Sequence, residues 1–248
     1  MRNIQGQEEE KFYLSDENEY SKIYDILSHM PNFVISSEND TYYEDYFYDT
    51  KDKFLEQNRA TVRVRKYEDK QVLSIKYISS NALQQEKVRE AYLDMPVDAV
   101  LSNYREAQLF LSNKINDIYA KYLDIDLVRK MRELQVYLVI YTDRTTIEMK
   151  NNRETKILVN FDKLNYQSKF LEGSDNTVKF ILTNYPDTIN LEIFHHFIKE
   201  INKRVYIIND NESKFEAGKR IFNYDRYNLK QKDEEEYEED EEEENEDK

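Results

Sequence analysis

The stretch ATVRVRKY, residues 60–67, constrains this chain more than any other, because Arg63 and Arg65 alternate with Val62 and Val64. Successive side chains of a strand point to opposite faces, so the pleat gives this segment one apolar face and one cationic face. The same alternation places Gln7, Glu9 and Lys11 together in QEEEKFYL, Ser74 and Lys76 in LSIKY, Lys87 and Arg89 in EKVREAY, and Thr142 and Arg144 in YTDRTTI. A lone R-x-R strand is commonly a solvated surface. Repetition over many strands points instead to a shared polar interior. Unpaired cations enclosed there would each cost several kcal/mol, so the interior must be hydrated and matched by carboxylates or by an anionic guest.

Other strand signals, rich in Val, Ile, Tyr and Thr, cover about 7–14, 42–49, 71–78, 86–94, 134–149, 155–162 and 176–183, with a last short strand over about 212–217. Asp16 or Ser15 can cap a helix over about 17–30, where Tyr20, Ile23, Tyr24, Leu27 and Met30 recur at helical spacing before Pro31. A helical insertion is expected over about 96–126. Another helix, over about 189–203, buries Leu191, Phe194, Phe197, Ile198 and Ile201. The fold class is therefore α+β. An antiparallel closed β-barrel of about eight strands with flanking helices is the economical way to hide so many sheet edges.

Only three glycines occur, so a glycine-rich loop that cradles phosphate with backbone N–H groups is excluded and any phosphate must be held by side chains. The absence of cysteine removes disulfides, thiolate metal sites and Cys nucleophiles. His195 and His196 lie on an amphipathic helix and read as packed or surface residues. Tyr46, Phe47 and Tyr48 read as barrel wall, and Asp49 as a turn former. Of the net charge of −15, the thirteen acids and single lysine of 233–248 account for −12, leaving −3 on the rest. Residues 1–228 are thus expected to form one domain, followed by a disordered acidic tail over 229–248. No apolar run approaches the roughly 18–20 residues of a membrane span, so a cytoplasmic location is the default expectation. No DNA partner is expected.

The ordered motifs resemble the triphosphate tunnel metalloenzymes, and within them the polyphosphate polymerase domain of vacuolar transporter chaperone (VTC) proteins. The motifs are KFYL, YFYDTKDKFLEQNRATVRVRKY, LSIK, EKVRE, VIYTDRTTIEM, ILVNFDKLNY, VKFILTNYP and ESKFEAGKRI, which run in the family's order over about 7–222. No single motif is specific; the ordered set carries the resemblance. It implies a metal-dependent phosphotransferase that threads inorganic polyphosphate through a tunnel, takes the γ-phosphate of ATP and binds Mn²⁺ or Mg²⁺. Lys11, Arg63, Arg65, Lys76, Arg144 and Lys214 would be its catalytic residues. Lys87, Arg89, Lys179 and Ser213 would bind phosphate, and Glu9, Glu90 and Asp162 would hold the metal. Polyphosphate, ATP or another triphosphate would be the ligand, and coupling to a membrane or to an active polymerase would need a partner protein.

The sequence departs from the pattern at the metal. The hydrolase and cyclase branch, called CYTH, is similar but carries E-x-E-x-K on its first strand and E-x-E late in the chain. Here those registers read Gln7, Glu9, Lys11 and Thr177, Lys179. Two alternatives to the polymerase therefore stand: a CYTH-type metal-dependent triphosphatase, and a catalytically inactive polyphosphate-binding module.

Overall fold

The computed structural model describes residues 8–80, 86–119, 133–153, 155–168, 171–183, 188–210 and 212–221. In chain order the elements are β1 (Glu8–Leu14), α1 (Glu17–Ser28), β2 (Phe33–Asp49), α2 (Phe54–Gln57), β3 (Ala60–Lys66), β4 (Gln71–Ser80) and β5 (Glu86–Met95). They continue with α3 (Arg105–Tyr119), β6 (Gln135–Asn151), β7 (Lys156–Gln167), β8 (Glu172–Leu182), α4 (Thr188–Asn202), β9 (Ile208–Asn209) and a helix α5 over 214–221. Among the described residues nine strands form one antiparallel sheet in the order β5-β4-β3-β2-β6-β7-β8-β1-β9.

Alternation decides which face each strand buries. Phe12, Val159, Phe161, Val178 and Phe180 lie on the outer face, where Ile23 and Leu27 of α1 and Phe194, Phe197 and Ile201 of α4 close over them. The second outer cluster packs Ala107 and Leu111 of α3 and Phe54 and Leu55 of α2 against Val62, Val64, Leu73 and Ile75. Burying such side chains contributes roughly 1.5–3 kcal/mol each. The inner face is left to polar residues and to a smaller apolar cluster of Phe47, Leu138, Ile140, Leu164 and Tyr166, which receives Phe215 and Ala217 of α5.

Local chemistry sets several boundaries. Asp16 caps α1 by accepting from Glu19 N at 3.1 Å, and Glu19 reaches back to accept from Ser15 N at 2.6 Å. Asp49 ends β2 as a turn former: its carboxylate accepts from Thr50 N at 2.7 Å, Leu55 N at 2.9 Å and Glu56 N at 3.1 Å, organising α2. With glycine scarce, the left-handed positions at the ends of these turns fall to Asn32, Lys53 and Arg59, with φ between 56° and 66°. Among the described residues no helix is long and apolar enough to cross a membrane.

Three expectations change. Among the described residues the ladder has nine strands, and hydrogen bonds do not close it: β5 and β9 stand at its ends. β2 starts at Phe33 rather than near residue 42, because its polar first half pairs with Thr146–Asn151 of β6 across a bulge at Ile35–Ser37. The final strand expected over 212–217 is instead the start of α5, preceded by the two-residue β9. The expected insertion contains one described helix, α3, packed on the outer face; its residues 120–126 and the acidic tail lie outside the described residues.

Candidate functional site

The sheet curls far enough that residues from both ends of its ladder line one cavity. Glu90 and Tyr92 of β5 and Asn209 of β9 share a space of about 800 Å³ with inner-face residues of the strands between. Lys11, Arg63, Arg65, Lys76, Arg144 and Lys179 project into it from five strands, and Ser213 and Lys214 enter with the start of α5. The expected site residues Glu9, Glu90 and Asp162 line the same cavity. Arg89 does not. The register Lys76↔Glu90 and Tyr77↔Arg89 turns Glu90 inward with Lys76 and puts Arg89 on the other parity of β5. Lys87 stands opposite Ser79 in that ladder.

Among the described residues nine Lys and Arg side chains line the cavity against eight Asp and Glu, so its cations are held by internal carboxylates. Asp162 takes a bidentate fork from Arg144, at 2.6 and 2.7 Å, and lies 3.0 Å from Lys214 Nζ. Asp45 takes a matching fork from Arg65, at 2.7 and 2.8 Å. Lys11 pairs with Asp210, and Lys179 with Glu9 at 3.4 Å. The two arginine forks, with charge on both partners, are the strong kind of hydrogen bond. The Arg144 fork and the adjacent Lys214 hold the Asp162 carboxyl well below the ordinary carboxylate range against its desolvation, and the Arg65 fork does the same for Asp45. Arg63 is different. Its Nε lies 3.6 Å from Asp45 Oδ1, beyond hydrogen-bond reach, and is buried without a partner.

Tyr43 forms the floor. Only 1% exposed, its ring lies 4.0 Å from the Arg65 guanidinium carbon, 5.0 Å from Lys214 Nζ and 5.4 Å from the Arg144 guanidinium carbon. Such cation–π contacts contribute about 0.5–2 kcal/mol each and hold three like charges around one ring. Lys214 also donates to Thr142 Oγ1 at 3.1 Å. Burial pushes its ammonium down to about 8, with Asp162 opposing that shift and Arg144 reinforcing it. Burial likewise lowers Lys179.

The helix α5 plugs one end of this interior. Ser213 caps it reciprocally, its Oγ accepting from Glu216 N at 3.2 Å while Glu216 Oε2 accepts from Ser213 N at 2.8 Å. Lys219 pairs with Glu56 at 2.6 Å, and Arg220 with Glu212 at 2.9 Å, tying the plug to α2 and to the loop after β9. Gly218 sits against Leu138 and Tyr166 so closely that a Cβ would fall 2.8 and 2.9 Å from their side chains. Sequence reasoning missed Tyr43, Asp45 and Asp210. For Tyr43 and Asp45 the signal was weak, because TYYEDYFYD carries aromatic residues on both faces. A second cavity, about 630 Å³, lies beneath α1 and shares Arg144 and Asp162 with the first.

An antiparallel sheet curled around a cavity that carries arginines and lysines on its inner face defines the triphosphate tunnel class. The CYTH domain model matches residues 9–181, and the chain belongs to the CYTH domain family. Solved structures of the same fold include a Hippeastrum protein, a candidate adenylyl cyclase described as having a dominant triphosphatase activity, at 16% identity and TM-score 0.50 over 85% of this chain and 94% of that one. A Pyrococcus horikoshii protein is similar at 12% identity and TM-score 0.43, over 85% of this chain and 97% of its own. A Mimivirus capping enzyme triphosphatase is similar at 10% identity and TM-score 0.39, over 79% and 90% respectively. No curated protein matches the sequence.

Members of this family typically depend on a divalent metal ion. The carboxylates described here do not fit one. Asp162 spends both oxygens on Arg144 and Lys214, Glu9 faces Lys179, and no group of three His, Asp or Glu converges on a metal position among the described residues. At the register where the family pattern carries late carboxylates, Thr177 is buried opposite Asp162, and Lys179 stands opposite Lys11.

Proposed function

We propose that this chain binds the phosphate chain of inorganic polyphosphate, or of ATP or another triphosphate, in the 800 Å³ cavity, with the curled sheet acting as the tunnel wall. The observation that carries the reading is Lys11 opposite Lys179 in the β1–β8 ladder, both lining the cavity that Arg63, Arg65 and Arg144 also enter. Like charges set directly opposite one another destabilise a sheet, and a polyanion between them removes that penalty. Arg63, Arg65 and Arg144 present planar forks to phosphoryl oxygens, while Lys11, Lys76, Lys179 and Lys214 act as point charges. Phosphoryl oxygens join cations that the buried Asp45, Asp162 and Asp210 hold in position, and replace the more open Glu9 on Lys179. Each charge-assisted contact contributes about 1.5–3 kcal/mol.

The reaction to seek in this cavity is transfer of the ATP γ-phosphate to polyphosphate, as in the VTC polymerase domain. Positioning and charge stabilisation are most of what that chemistry asks of a protein. The chain is assayed for long polyphosphate made from ATP, for phosphate released from tripolyphosphate, and for tripolyphosphate affinity by calorimetry, beside an Arg63→Ala/Arg65→Ala variant. Binding by the wild type that falls at least roughly a hundredfold in the variant supports the reading. Equal affinity of the two proteins overturns it. Polymer against free phosphate separates the polymerase from the triphosphatase, and silence in both beside tight binding identifies a binding module.

A further inference from the structure

We infer that the tunnel binds its phosphate chain without a divalent metal, the Lys179 ammonium supplying the positive charge that a metal supplies elsewhere in the family. The inference deepens the proposed function and rests on it. Three observations converge. Lys179 stands directly opposite Lys11 on β1 and Asn160 on β7, so this register position holds two ammonium groups and an amide where a cation site would need oxygen anions. The nearby carboxylates are engaged: Asp162 by Arg144 and Lys214, Glu9 by Lys179 itself, Asp210 by Lys11. Finally, among the described residues nine cationic side chains line the cavity against eight acidic ones, so a dication entering it competes with resident cations for every carboxylate. Mg²⁺ and Mn²⁺ keep an octahedron of oxygens and usually take one or two carboxylates besides the phosphates. To release one here, an arginine or lysine would have to leave its partner in a buried setting, which is the costly way to break an ion pair.

Lys179 suits the substituted role because it is placed by the sheet and not by a mobile loop. Its backbone belongs to β8, its head is held 3.4 Å from Glu9, and a phosphoryl oxygen can take the place of that carboxylate. Free tripolyphosphate, not its magnesium complex, is then the bound species, and added metal competes with the protein for it.

The full chain is titrated with tripolyphosphate by calorimetry, once in excess EDTA and once in excess MgCl₂, and separately with MnCl₂ alone. The inference expects affinity in EDTA equal to or tighter than in magnesium, and no heat from manganese with the ligand-free protein. Lys179→Glu, with Lys179→Gln as the milder companion, is expected to weaken binding in EDTA roughly tenfold to a hundredfold. For the Glu variant alone, magnesium should restore part of that loss. Binding that appears in magnesium and vanishes in EDTA for the wild type overturns the inference and leaves the proposed function standing. Absence of binding in both buffers overturns the proposed function, and the inference with it.

Discussion

Lys214 Nζ donates to the Tyr43 hydroxyl at 2.9 Å, joining the first residue of the plug helix to the floor of the cavity 171 residues away in sequence. The contact sits among cations, Arg65 and Arg144, and beside Asp162, so the charge on Lys214 is both desolvated and contested. Its ammonium titrates at about 8, below the ordinary 10.5. A polyanion binds the charged form better. Affinity for tripolyphosphate should therefore fall as pH rises through about 8, and Lys214→Arg should flatten that part of the profile. The same shift makes a stability prediction of opposite sense. Between about 8 and 10.5 the unfolded chain holds a proton on this lysine that the folded chain has lost, so this group's contribution to stability rises with pH across that window. Denaturant midpoints measured from neutral pH upward, for the wild type and for Lys214→Met, isolate the term.

Arg65 and Asp45 test whether the cavity's ion pairs are structural as well as functional. Asp45 is fully buried, and its two oxygens are met by the Arg65 fork. Arg65→Ala leaves that carboxylate buried beside only the longer Arg63 contact, at an expected cost of about 3–5 kcal/mol. Adding Asp45→Asn removes the stranded charge, so the double variant should be more stable than Arg65→Ala alone. Arg63→Ala, which breaks no hydrogen bond of its Nε, should cost much less stability while weakening phosphate binding. Urea denaturation of the four proteins decides this. A double variant less stable than the single would show that the pair does not share one energy.

The turn after β2 depends on one carboxylate. Asp49 satisfies the backbone N–H groups of Thr50, Leu55 and Glu56, and removing it strands donors in a region where Asp49, Thr50 and Leu55 are all buried. Asp49→Ala should lower stability by about 2–4 kcal/mol, with Asp49→Asn recovering part of it through its single carbonyl oxygen. Because α2 carries Glu56, the partner of Lys219, the alanine variant should also loosen α5 and speed hydrogen exchange there.

Much of this was legible in the residues. The V-R-V-R alternation gives β3 its two faces, and Asp16 marks the start of α1. What escaped did so for physical reasons. SSENDT in the first half of β2 has no apolar face, so its strand state comes from pairing with β6 and not from pattern. In EKVREAY both parities carry charge, and only the register with β4 decides that Glu90, and not Arg89, turns inward. One signal was present and went unread: SKFE at 213–216 is a capping-box sequence, and it makes a helix of the segment expected as the closing strand. The cation-rich cavity and carboxylates within it were anticipated from alternation. Asp45 and Asp210 were not, since they reach Arg65 and Lys11 only through the fold.

Thr177→Glu bears most directly on the metal. The residue is 2% exposed, on the inner face, opposite Asp162 and Tyr13 and two residues before Lys179. A glutamate there restores a carboxylate at the family's register but finds Asp162 beside it, so the ligand-free variant should lose at least about 1–3 kcal/mol through a desolvated, repelled charge. A dication relieves that charge. Manganese at about a hundred times its dissociation constant would return about 2.7 kcal/mol by mass action, which for a chain of this size is a rise of several degrees in Tm. The wild type, whose carboxylates are already spent on arginine and lysine, should show no such rise. Thermal melts of both proteins with and without MnCl₂ make the comparison. If manganese lifts the wild type as far as the variant, a metal site exists that needs no residue at 177, and Lys179 does not replace the ion. If only the variant responds, the missing carboxylate is what separates this tunnel from a metal-dependent one.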